Sequence, residues 1–226
     1  MLEVIPAILP KTFAELEEKL AFLKGASTLV QIDITDGRFA GVASWPLAKH
    51  DLNFEAILRE ERGLPEWEDF EFEFDLMMAD PFSLIPDLIR AGAAKIVIHA
   101  ESINLENDQL LLDQLRTEGV VEVGIAFNQD ADENLIKEFL PFADFVQFMG
   151  IAKIGFQGQP FSDRVIEQIR FLKRELPTMP IAVDGGMDRN TIPIIANEGV
   201  SKIIAGHAIL ESANPIEGVR ELQSLV

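Results

Sequence analysis

Acidic residues and glycines recur where short apolar runs end, and that is where chemistry would collect. In Gln31-Ile32-Asp33-Ile34-Thr35-Asp36-Gly37-Arg38-Phe39 a β-favouring run delivers two aspartates and a glycine. Strand alternation puts Gln31, Asp33 and Thr35 on one face. Further on, Phe70, Phe72 and Phe74 alternate with Glu71, Glu73 and Asp75. Inward-facing carboxylates must be paired, protonated or bound to a cation, because an unpaired buried charge is costly. His99, Met149, Asp184 and Gly206 end later apolar runs. Two glycine-rich ends, Asp184-Gly185-Gly186 and Gly206-His207, let backbone N–H groups approach a phosphate. Alone, Asp33 reads better as a turn or cap residue, and His99 fits a hydrogen-bonded strand-end histidine better than a catalyst.

The elements that must position these groups are short and regular. Strands are predicted over Leu2–Leu9, Thr28–Ile34, Phe70–Met78, Lys95–His99, Glu122–Phe127, Phe145–Met149, Pro180–Val183 and Lys202–Ala205. Helical periodicity follows each: Phe13, Leu16, Leu20 and Leu23 after a Thr12 cap, then Asn53–Glu61, Pro81–Ala91, Asn107–Thr117, Asp132–Leu140, Ser162–Leu176, Asn190–Asn197 and Pro215–Leu225. Eight alternating units over residues 1–226 give a single-domain (β/α)8 TIM barrel, with a doubly wound sheet as the other α/β solution. In a barrel the acidic and glycine-rich strand ends share one rim, and the ends of strands seven and eight commonly hold phosphate.

Composition narrows the partners. Lys plus Arg number 19 against 38 Asp plus Glu, a formal charge of −19, which repels nucleic acid and anionic membranes. There is no cysteine, so thiolate nucleophiles, disulfides and cysteine metal sites are excluded. Met1–Pro10 lacks a basic segment ahead of an apolar core, and no apolar run approaches a membrane span, so the cytoplasm is the expected location.

The motifs together resemble the ribulose-phosphate 3-epimerase family nearly end to end. The matching segments are Pro6-Ala7-Ile8-Leu9, Ile32 to Phe39, Asp75-Leu76-Met77, His99-Ala100-Glu101, Met149 with Gly155 to Phe161, Val183-Asp184-Gly185-Gly186 and Ala205-Gly206-His207-Ala208-Ile209. The resemblance implies interconversion of ribulose 5-phosphate and xylulose 5-phosphate. Asp33 and Asp184 would be the acid/base pair. The sugar and its phosphate would meet Met77, Met149, Gly155, Gly158, Gly185, Gly186, Gly206 and His207, with Gln157 to Gln159 as a lid. It also implies a homo-oligomer and a divalent metal. The family's two histidine ligands are replaced here by Gln31 and Asp75, leaving Gln31, Asp33, Asp75 and Asp184 as the ligand set. Oxygen-only ligands favour magnesium or manganese over zinc or iron; the alternative is no metal at all, with a protonated carboxyl or a basic residue in its place. Lys153, in a loop one residue longer than the family's, is the candidate basic residue, against a solvated loop lysine. Two other functions fit the same residues: a related ketose-phosphate epimerase or isomerase with altered or no metal, and a catalytically silent barrel that binds a phosphosugar.

Overall fold

The computed structural model describes residues 2–226; Met1 lies outside the described residues. Eight parallel strands close into a barrel in chain order. They are β1 (Glu3–Ile8), β2 (Leu29–Thr35), β3 (Glu71–Met77), β4 (Ala93–His99), β5 (Glu122–Phe127), β6 (Phe145–Met149), β7 (Ile181–Asp184) and β8 (Lys202–Ala205). The (β/α)8 reading is therefore the observed fold.

The helices form where apolar spacing and caps coincide. In α1 (Phe13–Leu23), Phe13, Leu16, Leu20 and Leu23 are buried, and the Thr12 side chain accepts from the Glu15 N–H. Asp51 caps α2 (Leu52–Leu58), one residue ahead of the predicted start. The helix predicted from Pro81 is a 3-10 turn, Pro81–Ser83, followed by α3 (Ile85–Ala91). Pro86 lacks an N–H and sits best in a first helical turn, so the helix restarts around it. Asn104 caps α4 (Leu105–Glu118) and Asp132 caps α5 (Glu133–Phe139). Then come α6 (Arg164–Glu175), α7 (Ile192–Ala196), a four-residue α8 (His207–Leu210) and α9 (Pro215–Gln223). No helix among the described residues is long and apolar enough to cross a membrane.

The main core lies between barrel and helices. Phe70, Phe72 and Phe74 belong to it, with adjacent rings 6.5 and 6.4 Å apart. Their alternation turns Glu73 and Asp75 inward, and both are fully buried. The barrel interior has two small apolar clusters. One is Ile5, Ala7, Leu29 and Ile204; the other is Val97, Ala126, Phe145 and Ala182. Buried polar side chains occupy the space the two clusters leave. Their layering follows from register: β2 pairs with β3 so that Gln31 faces Glu73 and Asp33 faces Asp75.

Candidate active site

A cavity of about 480 Å³ opens at the C-terminal ends of the strands. Asp33 from β2 and Asp184 from β7 both line it, three strands apart around the barrel. Met77, Met149, Gly155, Gly158, Gly185, Gly186, Gly206 and His207 line it as well. The structure thus gathers every residue expected to meet the sugar phosphate at one mouth.

The glycines are there because backbone comes close. Gly185 and Gly186 have φ of +97° and +70°. A Cβ on Gly186 would stand 2.7 Å from the Phe161 Cα, and one on Gly206 would stand 2.6 Å from Gln157 Nε2. The loop after β6 therefore lies over the ends of β7 and β8, where Gln157 to Gln159 were expected as a lid. A Cβ on Gly158 would stand 3.5 Å from the His207 ring. Among the described residues no lysine or arginine lines the cavity, which leaves backbone N–H groups, Gln157, Gln159, Asn190, Thr191 and His207 as its donors toward an anion.

Beneath the two cavity aspartates lies a buried polar layer. His99 Nε2 is 3.0 Å from Asp75 Oδ1, and Gln147 Nε2 donates to Asp75 Oδ2 at 2.7 Å. Gln31 Nε2 donates to Gln147 Oε1 and to Glu73 Oε1, both at 2.9 Å. Lys202 Nζ donates to Glu73 Oε2 at 2.9 Å, and lies 4.1 Å from the Phe145 ring centroid. Phe39 closes the top of this layer, 5.6 Å edge-on from the His99 ring.

The electrostatics separate the carboxyls by role. Burial pushes Asp33 well above the usual carboxylate range, and the charges of Asp184, Asp75 and Glu73 push it further. Burial and the Asp75 charge push Asp184 up to about 7. For His99, burial disfavours the charged ring, but the Asp75 charge and hydrogen bond outweigh it and raise its pKa. Outside the layer, Asp36 is held low despite partial burial, because it accepts from the Ala79, Phe39 and Arg38 N–H groups. It ties the loop after β2 to the end of β3.

Lys153 does not reach the carboxylates: it is exposed, its Nζ lies 5.9 Å from the Phe156 ring centroid, and it lines no part of the cavity. The extra loop residue lets the segment fold outward, so the solvated reading of Lys153 holds. The ligand set Gln31, Asp33, Asp75 and Asp184 does not fit a divalent metal either. Both Asp75 oxygens already accept hydrogen bonds, and the Gln31 amide nitrogen is committed twice. Gln31 Oε1 and Asp33 Oδ1 are buried without a partner, and they offer only two free oxygens toward a coordination shell. Among the described residues no three His, Cys, Asp or Glu side chains are grouped so as to hold a metal ion.

A family model described as Ribulose-phosphate 3 epimerase family matches residues 3–210. The chain belongs to that family. The ribulose-phosphate 3-epimerase of Aquifex aeolicus is 29% identical over 216 residues, covering 93% of this chain and 90% of its own length. The ribulose-phosphate 3-epimerase of Bacillus subtilis is 28% identical over 230 residues, covering 99% of each. Among solved structures, 3-hexulose-6-phosphate synthase from Salmonella typhimurium superposes with a TM-score of 0.67 at 18% identity, covering 99% of this chain and 97% of its own. At that identity the likeness shows the barrel alone. Against this family background, Gln147, Lys202 and Phe39 are the site residues that reading the motifs passed over. Gln147 carried a usable signal: it shares a face with Phe145 and Met149 on a strand that is otherwise apolar. Lys202 carried none, since a lysine opening a strand is ordinarily solvated.

Proposed function

We propose that this chain is a ribulose-phosphate 3-epimerase, interconverting D-ribulose 5-phosphate and D-xylulose 5-phosphate by proton transfer between Asp33 and Asp184. The observation that carries the reading is that these two carboxyls line one cavity, where burial raises the pKa of both, that of Asp184 to about 7. Burial and the repulsion between the two carboxyls favour keeping a proton on the pair where ordinary aspartates would hold none. In one direction of the reaction Asp33 carries that proton and Asp184 supplies the carboxylate. That is the state a two-base inversion requires.

Asp184 removes the proton from C3, and the electron pair moves into an enediolate across C2 and C3. Asp33 delivers its proton to the opposite face of C3, and the C2 carbonyl re-forms. The products are the inverted sugar, protonated Asp184 and ionised Asp33; the reverse reaction exchanges the roles. Met77 and Met149 wall the cavity and keep water from the enediolate. The glycine ends of β7 and β8, with His207, take the phosphate. The same reading has a small phosphorylated sugar as its partner, a homo-oligomeric assembly and a cytoplasmic place of work.

Incubation of ribulose 5-phosphate with the protein in heavy water, followed by NMR, tests this. Deuterium entering C3 as xylulose 5-phosphate appears is the expected result. A folded protein that leaves C3 unexchanged would overturn the reading.

A further inference from the structure

We propose that a chain of buried side chains, Lys202–Glu73–Gln31–Gln147–Asp75–His99, stands where a divalent cation would otherwise sit beneath Asp33 and Asp184. The chain is continuous across the barrel, with every link 2.7 to 3.0 Å long. It is also directional. Glu73 and Asp75 act only as acceptors, each taking two donors. The Gln31 amide must turn its nitrogen to both Glu73 and Gln147, and the Gln147 amide must turn its nitrogen to Asp75. Each orientation fixes the next.

Two consequences follow for a cation. First, a metal at this layer would have to share Asp75 with His99 and Gln147, which already take one lone pair on each of its oxygens and hold the carboxylate in their own direction. Second, Lys202 and its Glu73 contact already bring positive charge into the interior, and they enter from the opposite end of the barrel, where β8 begins. The charge need that inward carboxylates create is met by the chain itself. The inference rests on strand register as well as side chains: Gln31 faces Glu73 across β2 and β3, and Gln147 faces Ala126 across β5 and β6, leaving room for its amide to cross the interior. It makes Gln147 and Lys202 positioning residues under the proposed reaction, but it stands or falls on metal binding alone.

The test uses the full chain, purified with and without EDTA. Metal content is measured by mass spectrometry, and the thermal midpoint is followed with added Mg²⁺, Mn²⁺, Zn²⁺ and Fe²⁺. The expected result is substoichiometric metal and a midpoint that neither EDTA nor any of the four ions moves upward. A native-state cation at a hundred times its Kd would raise the midpoint of a chain this size by about 5–10 °C. One equivalent of any of these metals retained, or a rise of that size abolished in Asp75→Asn, would overturn the inference. Deuterium exchange at C3 read in the same samples keeps the epimerase reading separate: exchange with bound metal sinks only this inference, and metal-free protein without exchange sinks only the other.

Discussion

His99 Nε2 and Asp75 Oδ1 lie 3.0 Å apart with both side chains fully buried. Asp75 of β3 meets a histidine from the neighbouring strand β4. The partner that a carboxylate at that position requires is thus supplied by β4. Removing one member of a buried pair leaves the other uncompensated, at a cost of about 3–5 kcal/mol. His99→Leu should therefore lose roughly that much stability in urea unfolding, with the usual context-dependent scatter. His99→Gln keeps a donor and should lose much less. Equal losses in the two variants would show that the ring fills space without holding Asp75.

Both cavity aspartates are predicted to be indispensable for inversion. Asp33→Asn and Asp184→Asn should each lower kcat by about 10²–10⁴-fold, the usual contribution of a positioned acid or base. Their exchange patterns should differ. Each variant retains one of the two carboxyls, so each can wash deuterium into C3 of only one epimer. NMR of each sugar, incubated separately with each variant, checks this; wash-in of both epimers by either variant would exclude the assignment.

The raised pKa of Asp184 predicts opposite pH trends for activity and stability. Its folded value is about 7, against 3.8 for an ordinary aspartate. Between those two values the native state binds the proton that the unfolded chain has released. The contribution to stability is full below 3.8 and is lost as pH rises through about 7. Activity should rise over the upper part of the same window, as the base ionises, and fall at higher pH as the pair gives up its remaining proton. Urea midpoints and initial rates measured from pH 4 to 9 read both trends. Asp184→Asn should flatten the stability profile.

How far these features were legible in the sequence depends on how local their cause is. The Phe70 to Asp75 alternation announced both faces of β3, because period two is a property of one strand. The glycine ends of β7 and β8 were legible as turns, since backbone clearance is local too. The Asp75–His99 contact was not, because it depends on the register between β3 and β4, which no single strand contains. Lys202 stayed hidden for the same reason: its partner Glu73 is 129 residues away in sequence. Lys153 read best as a solvated loop lysine, and it is exposed. A spare loop residue shows that the chain can take a new path, but its direction was set by packing, which carried the lysine out over Phe156.

The Lys202–Glu73 pair should behave as an internal counter-ion. Glu73 is fully buried and Lys202 nearly so. Lys202→Met leaves Glu73 charged with only the Gln31 amide for company, and is expected to cost about 3 kcal/mol or more. The double variant Lys202→Met, Glu73→Gln removes both charges and should recover most of that stability. A double-mutant cycle from urea unfolding measures the coupling. A cycle that closes near zero would show that the two residues are independent.

Above the site, the loops after β2 and β6 meet glycine to glycine. Gly41 has φ of +60° and Gly155 φ of +76°. A Cβ on Gly41 would stand 2.6 Å from the Gly155 carbonyl oxygen, and one on Gly155 would stand 2.8 Å from the Gly41 nitrogen. In both cases the obstacle is backbone, which a rotamer change cannot relieve. Gly41→Ala therefore meets two costs: about 1–2 kcal/mol for an L-residue in the left-handed region, and displacement of the β6 loop. That loop lines the cavity through Gly155, Phe156 and Gln157. Lifting it should weaken hold on the sugar phosphate more than it slows proton transfer, because Asp33 and Asp184 sit on the barrel itself. The expected outcome is a raised KM with kcat changed little, in a protein whose thermal midpoint falls by a few degrees. A variant with wild-type KM and midpoint would mean that the two loops do not touch in solution.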